Sequence, residues 1–266
     1  MTTAAESMAI GPEVTYEVVD HVAWVTINRP EVRNALNLAA RDQWRSALER
    51  FEADADARVL VLTGAGDQSF CAGADLKEMA DDVAQAPSVP PIDFIAQPGR
   101  TIQLSKPTIA AVNGHALAGG FLLAQSCDLV VTAAHATFGI TEIRWSRGAP
   151  WAVPLIDLVG PRAAMEILLT GDPISAERAL RIGLVNRVVP AERLRAEAAT
   201  LAARIAEHPP LAVAAARRTV QLALEHDRAT AFERAEEVWA PVYLSADAQE
   251  GPRAFREKRR PVWQGR

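Results

Sequence analysis

The sequence predicts an α/β fold with a helical C-terminal third, on three observations. Strand, small-residue loop and helix recur, with the strands close together in the chain. Two loops rich in glycine and alanine each follow a β-branched apolar run: Ser69-Phe70-Cys71-Ala72-Gly73-Ala74-Asp75-Leu76 and Asn113-Gly114-His115-Ala116-Leu117-Ala118-Gly119-Gly120. After Pro161 the pattern turns to helical periodicity almost throughout.

Residues 1–12 read as a loose tail. Val14 to Val19 and Val22 to Asn28 are β-rich and flank an Asp20-His21 turn; Pro30 stops the second run because proline cannot continue a ladder. Asn37 is the expected N-cap of a helix from Leu38 to Ala53, with Trp44, Leu48 and Phe51 at helical spacing. Arg58 to Thr63 has a buried-strand pattern closed by Gly64-Ala65-Gly66. From Asp81 to Pro98 the prolines Pro87, Pro90, Pro91 and Pro98 mark a mobile loop, with a short helix around Ile92 to Leu104. Thr108 to Val112 is a second buried strand, and Gly119 onward a buried helix. Asp128 to Thr132 and Ala136 to Gly139 are further strands. Helices are expected over 162–169, 175–181, 191–207, 210–226 and 229–240, the last ended or kinked by Pro241. Leu184 to Val189 is a short strand among them. The division that follows is a tail at 1–12, an α/β core at 13–195 and a helical region at 196–266.

A chain of 266 residues suffices for one large domain with an appendage. Its net charge of −5 argues against a general nucleic-acid binder. Arg253, Arg256, Lys258, Arg259, Arg260 and Arg266 make a local basic tail, read by itself as a solvated surface. Cys71 and Cys127 form no CxxC pair, which excludes a zinc or redox motif and fits a reducing compartment. Met1 to Gly11 has neither the basic start nor the apolar core of a signal peptide. The apolar run from Thr108 to Ala134 is broken by Asn113, His115, Gln125 and Asp128, so it reads as core rather than a membrane span. A cytoplasmic protein without a membrane segment is the expectation.

Gly64-Ala65-Gly66 invites a dinucleotide reading, but Ser69 stands where the third glycine belongs. No GxSxG elbow is present. His115 reads as a packed or hydrogen-bonding residue rather than a base. What remains is the pair of loops. Small residues at a strand-to-helix junction let a ligand approach the backbone, and the first N–H groups of a helix are free to face negative charge. Each loop could supply one N–H to a shared oxyanion.

Asn28-Arg29-Pro30, Arg33-Asn34-Ala35-Leu36-Asn37, Phe70-Cys71-Ala72-Gly73-Ala74-Asp75-Leu76, Lys106-Pro107 with Ala110-Ala111-Val112-Asn113-Gly114, Cys127-Asp128-Leu129, Leu169-Thr170-Gly171 and Gly183 to Pro190 together resemble the enoyl-CoA hydratase/isomerase (crotonase) superfamily. The resemblance runs in register over nearly the whole chain. It implies a crotonase-like spiral of ββα units and C-terminal helices that form a homotrimer or a dimer of trimers. It implies an acyl-CoA thioester as substrate, with no further cofactor and no metal. Ala74 and Gly119 would be the oxyanion donors. Arg33, Ala35, Ala72, Asp75 and Leu76 would lie along the CoA, with Lys77 near its adenine and phosphate end. Phe255 and Lys258 match positions that reach a neighbouring subunit's CoA, which gives the basic tail a phosphate-binding role.

Many hydratases of the superfamily use two glutamates. The position three residues after the oxyanion glycine is Leu122 here, and the second, twenty residues later, is Glu142. One carboxylate is kept and one is replaced. That combination is similar to single-glutamate enoyl-CoA isomerases, where one base moves a proton from C2 to C4 with no activated water. Isomerisation (Δ3 to Δ2) is therefore the first expectation. A hydratase or related acyl-CoA lyase, or a non-catalytic acyl-CoA-binding homologue, is the alternative. The bland reading of Glu142 is a surface glutamate paired with Arg144 or Arg147. After Glu142 the superfamily's glycine-rich turn is replaced by Arg144-Trp145-Ser146-Arg147-Gly148-Ala149-Pro150-Trp151. Leu122, Trp145 and Trp151 are then expected to shape the acyl pocket, and Arg144 or Arg147 to face solvent or a polar acyl group.

Overall fold

The structure is a computed structural model that describes residues 10–75, 77–78 and 89–266. Leu76, most of the tail at 1–12 and the first part of the proline-rich loop lie outside the described residues.

β1 (Val14–Val19) and β2 (Val22–Ile27) pair as an antiparallel hairpin. Asp20 and His21 both have positive φ, at 49° and 65°, the turn geometry that matches the twist of two paired strands. α1 (Leu38–Ala53) follows, capped by Asn37, whose side chain accepts from Ala40 N at 2.8 Å. Then come β3 (Val59–Gly64), β4 (Ser69–Cys71), β5 (Thr108–Val112), β6 (His115–Leu117), α2 (Gly119–Gln125), β7 (Leu129–Ala133) and β8 (Thr137–Gly139). α3 (Leu155–Thr170), β9 (Ile174–Ser175), α4 (Ala176–Arg181) and β10 (Arg187–Val189) complete the α/β part. The main sheet runs β1-β2-β3-β5-β7-β10, parallel except for the hairpin, and a second sheet runs β4-β6-β8-β9.

The main sheet is covered on both faces, which explains its unbroken apolar strands. Leu60 and Leu62 of β3, with Ala110 and Val112 of β5, share a cluster with Trp44, Leu48 and Phe51 of α1. The alternate residues Val59, Val61, Ile109 and Ala111 meet Leu194, Ala198, Ala202 and Ala206 of α5 (Leu194–Ala206). Period-two alternation thus sends one set to each layer. α5 spans the expected division at 195/196 and is packed on the sheet as core.

Beyond it lie α6 (Pro210–Glu225), α7 (Arg228–Leu244) and α8 (Ala246–Glu257). Asp128, just before β7, ties α6 to the sheet. Its carboxylate accepts from Arg217 Nε at 2.8 and 2.9 Å and from Thr108 N at 2.8 Å, while Arg217 Nη1 donates to Leu104 O at 2.6 Å. Arg217 is nearly buried and Asp128 partly so. Removing one partner strands a charge away from water, so Arg217→Ala is expected to cost about 2 kcal/mol, below the fully buried case because solvent reaches Asp128. The urea unfolding midpoint measures it. Phe232, Tyr243, Leu244 and Phe255 are exposed on these helices, and apolar helix faces of this kind call for cover.

Three expectations are corrected, and one helix was not expected. Pro241 lies inside α7, which runs on to Leu244; proline removes one intrahelical bond, and α7's packing against α6 carries the helix past it. Ile92 to Leu104 is not a helix but turns with a bridge between Pro98 and Ile102. The strand expected at 184–189 is confined to Arg187–Val189. α8, unanticipated, starts at Ser245, whose hydroxyl accepts from Ala248 N at 3.1 Å. Gly251 and Pro252 within it hide the helical pattern.

Candidate active site

Two buried asparagines build the frame of the first loop. Asn34, at φ 56°, adopts the left-handed region that its residue type tolerates. Its Nδ2 donates to Ala65 O at 3.0 Å and Ser69 O at 2.7 Å, and its Oδ1 accepts from Arg29 N at 3.0 Å. Asn113 mirrors it: Oδ1 accepts from Gly64 N at 3.1 Å, and Nδ2 donates to Gly66 O at 2.9 Å and Ser69 O at 3.2 Å. Every amide atom is used, so both side chains are rigid braces.

β4 and β6 pair in parallel, with a register shift between Ser69 and Cys71. The glycines then bring the loops together. A Cβ on Gly120 would stand 1.9 Å from Cys71 O, and one on Gly119 3.2 Å from Gly73 Cα. Gly73, at φ 94°, takes a conformation that side chains oppose. Next to it, Ala74 bridges Leu36: Leu36 N donates to Gly73 O at 2.8 Å and Asp75 N to Leu36 O at 3.1 Å. In a parallel ladder these bonds use the neighbours of Ala74, so Ala74's own N–H faces the opposite side. Gly119 is the first residue of α2, where N–H groups have no intrahelical acceptor. Neither N–H has an acceptor among the described residues.

Ala118 precedes Gly119 at φ 52°, ψ −121°. A β-carbon resists this geometry, at about 1–3 kcal/mol. Ala118→Gly removes that strain but adds about 0.4–1 kcal/mol of unfolded-chain entropy. A net stabilisation of about 1 kcal/mol is expected, read from chemical denaturation.

The second sheet ties this junction to the segment that leads into Glu142. Leu117 pairs with Gly139 of β8, and Ala118 N donates to Gly139 O at 2.9 Å. A 3-10 turn, Thr141–Trp145, begins two residues later with Glu142 in its first turn. Glu142 Oε2 is buried and without a hydrogen-bond partner among the described residues. Burial pushes its carboxyl up to about 7. The surface ion pair is not what forms: Arg144 pairs with Asp172, and Arg147 is exposed and meets Glu142 only through backbone, its N donating to Glu142 O at 3.0 Å. A desolvated carboxyl near 7 can take up and return a proton at neutral pH.

Of the expected acyl-pocket residues, Leu122 and Trp151 are buried, and Trp151 packs on Phe121 with ring centroids 6.2 Å apart. Trp145 is 70% exposed. The expected CoA-binding residues of the first half are brought together. Ala72 N donates to Arg33 O at 3.1 Å, and the Arg29 guanidinium joins Ala35 O to Asp75. Partial burial would raise the Asp75 carboxyl, but the Lys77 N–H and Arg29 hold it below the usual range. Lys77 is exposed. Phe255 and Lys258 sit at the end of α8, with Phe255 exposed. His115 Nδ1 is 2.8 Å from Thr137 Oγ1, a hydrogen-bonding role. A cleft of about 300 Å³ lies elsewhere, between α6, α7 and Leu104, and shares no residue with the two loops. Sequence reading gave no role to Gln97 or Gln125, both buried near Trp151; Gln125 signalled itself only as a break in an apolar run.

The site therefore consists of two backbone N–H groups without acceptors among the described residues, on two loops of an α/β scaffold, and a carboxyl with one buried, unpartnered oxygen. The chain belongs to the enoyl-CoA hydratase/isomerase family, whose model matches residues 17–266. It is 37% identical to the (E)-benzylidenesuccinyl-CoA hydratase of Thauera aromatica, over 95% of this chain and 99% of that protein. It is 39% identical to an enoyl-CoA hydratase of Mycobacterium tuberculosis, over 96% and 98%. The crystal structure of an enoyl-CoA hydratase from Mycobacterium marinum is 38% identical, covers 96% of this chain and 100% of its own, and superposes with a TM-score of 0.87.

Proposed function

We propose that the protein binds an acyl-CoA thioester, holds its carbonyl oxygen with the N–H groups of Ala74 and Gly119, and transfers a proton at C2 through Glu142 alone. One observation carries this: the buried, unpartnered Oε2 of Glu142, in a chain with Leu122 where a second carboxylate would stand. As the oxyanion develops, C2 becomes acidic. Glu142 removes its proton and can return it at C4, which shifts a Δ3 double bond to Δ2 with no net exchange of atoms.

The relatives favour a second reading, because the proteins compared above are named hydratases. In hydration Glu142 would take a proton from water as its oxygen adds to C3, then deliver that proton to C2. Arg33, Ala35, Ala72, Asp75 and Lys77 are assigned to the CoA, with Phe255 and Lys258 reaching the CoA of a neighbouring copy in a homotrimer or dimer of trimers. The exposed apolar faces of α7 and α8 support that assembly, and sedimentation tests it. Among the described residues no helix is long and apolar enough to cross a membrane; a cytoplasmic location is part of the proposal.

The deciding experiment supplies 3-enoyl-CoA and 2-enoyl-CoA and follows conjugation at the thioester. Conjugation gained from 3-enoyl-CoA supports the isomerase. Hydration of 2-enoyl-CoA at ordinary enzymatic rates assigns the hydratase instead. Inactivity on both with acyl-CoA binding intact would identify a non-catalytic homologue.

A further inference from the structure

Gln97 and Gln125 are 4% and 7% exposed, and both amide nitrogens donate to one carbonyl, Trp151 O, at 3.4 and 2.8 Å. That shared acceptor fixes both amides, since a flip of either would set oxygen against oxygen. Their Oε1 atoms are buried and have no partner among the described residues. Glu142 Oε2 is the one other buried side-chain atom of this kind among the described residues. Buried acceptors are normally satisfied, so two on adjacent amides call for a donor.

Both lie on segments that reach the Gly119 junction. Ile95 Cδ1 would stand 2.6 Å from a Cβ on Gly119, and Gln97 follows two residues later. Trp44 Nε1 holds Ala96 O at 2.8 Å, and Gln97 N donates to Thr101 Oγ1 at 2.9 Å, so the backbone there is pinned. Gln125 shares a helical face with Phe121 and Leu122, and Phe121 packs on Trp151. Ile95, Phe121, Leu122 and Trp151 belong to one buried apolar cluster, and the two unpaired amide oxygens form its polar end at Trp151.

We propose that this end recognises the acyl group, and that the protein selects acyl thioesters bearing a neutral hydrogen-bond donor, a hydroxyl or a carboxamide, on the chain. Two acceptor oxygens repel a carboxylate and leave a plain alkyl chain unable to pair them. This rests on the acyl-CoA reading above and names its substrate class.

The test is binding, independent of turnover. Saturated acyl-CoA thioesters of short to medium chain length, with a methyl, hydroxyl or carboxylate terminus, are titrated into the wild-type protein by calorimetry. At one chain length the hydroxylated thioester is expected to bind about tenfold or more tightly than its alkyl counterpart, and the carboxylate most weakly. Gln97→Leu and Gln125→Leu each reduce that ratio toward one while leaving the affinity for alkyl chains intact. A ratio at or below one at every length overturns the proposal. So does a ratio unchanged in both variants, which would assign the two amides to a buried water. Where a leucine variant does not fold, Gln125→Met and the wild-type ratio decide. Turnover of enoyl-CoA, with Glu142→Gln as the inactive reference, reports on the catalytic reading separately. Donor selectivity without turnover would leave the subsite standing and remove the reaction.

Discussion

Glu142→Gln is expected to lower turnover by about 10³-fold while leaving acyl-CoA affinity within a few-fold of wild type, since a positioned acid/base contributes about 10²–10⁴. Gln keeps the shape and loses the proton site. The reaction needs the carboxylate form, so kcat/KM should rise with pH through an inflection near 7, the value to which burial lifts this group. Stability should move the other way. The native carboxyl holds its proton up to about 7, whereas the unfolded one releases it near the ordinary 4.5. Between those values the native state binds more protons, so its contribution is full below the window and lost as pH rises through it. The shift corresponds to up to about 3 kcal/mol above the window. Glu142→Gln should therefore raise the melting temperature at pH 8 and leave it nearly unchanged at pH 4. A melting difference that does not vary with pH would mean that Glu142 is solvated, and unaltered turnover would remove it from the mechanism.

The parts of this site that were legible in the sequence are those set by backbone chemistry. Asn37 advertises a cap, proline after β2 a strand end, and glycine-rich junctions a close approach of two loops. Glu142 could be placed by its spacing from Gly119, but its burial could not, because that depends on how the second sheet positions the turn after β8. Gln97 and Gln125 were illegible for a related reason. Each is an unremarkable polar residue in its own segment, and only the fold seats both on Trp151 O. Asn34 and Asn113 lay within recognised motifs, yet their common purpose, clamping Ser69 O from two directions, is a tertiary fact. At Pro241 the end that the local rule allowed, as one alternative to a kink, does not occur. A local rule with a sound mechanism was overridden by packing between α6 and α7. The family could be read from the motifs, while the proposed reaction rests on Leu122 and Glu142, where the replaced carboxylate and the names of the relatives point to different chemistry.

Gly120→Ala is the largest structural effect expected outside the carboxyl itself. The added Cβ would lie 1.9 Å from Cys71 O and 2.7 Å from Cys71 C. Neither side can yield cheaply. Cys71 belongs to β4, whose Ser69 carbonyl is held by both asparagines. Gly120 belongs to α2, anchored by Leu122 N to Ala118 O at 3.1 Å. Gly119→Ala differs, because its nearest obstacle is the tip of Ile95 at 2.6 Å, a flexible end that can turn away. Relieving the Gly120 clash requires the two loops to separate by about 1 Å, costing about 3 kcal/mol of stability in a packed interior. That separation also parts the N–H groups of Ala74 and Gly119, and a misplacement of this size costs about 10²-fold in rate. Urea denaturation and kcat on the same preparation test both consequences. Loss of stability with kcat retained would show that the loops can part without disturbing the oxyanion site, and Ala74 and Gly119 would then lose their assigned role.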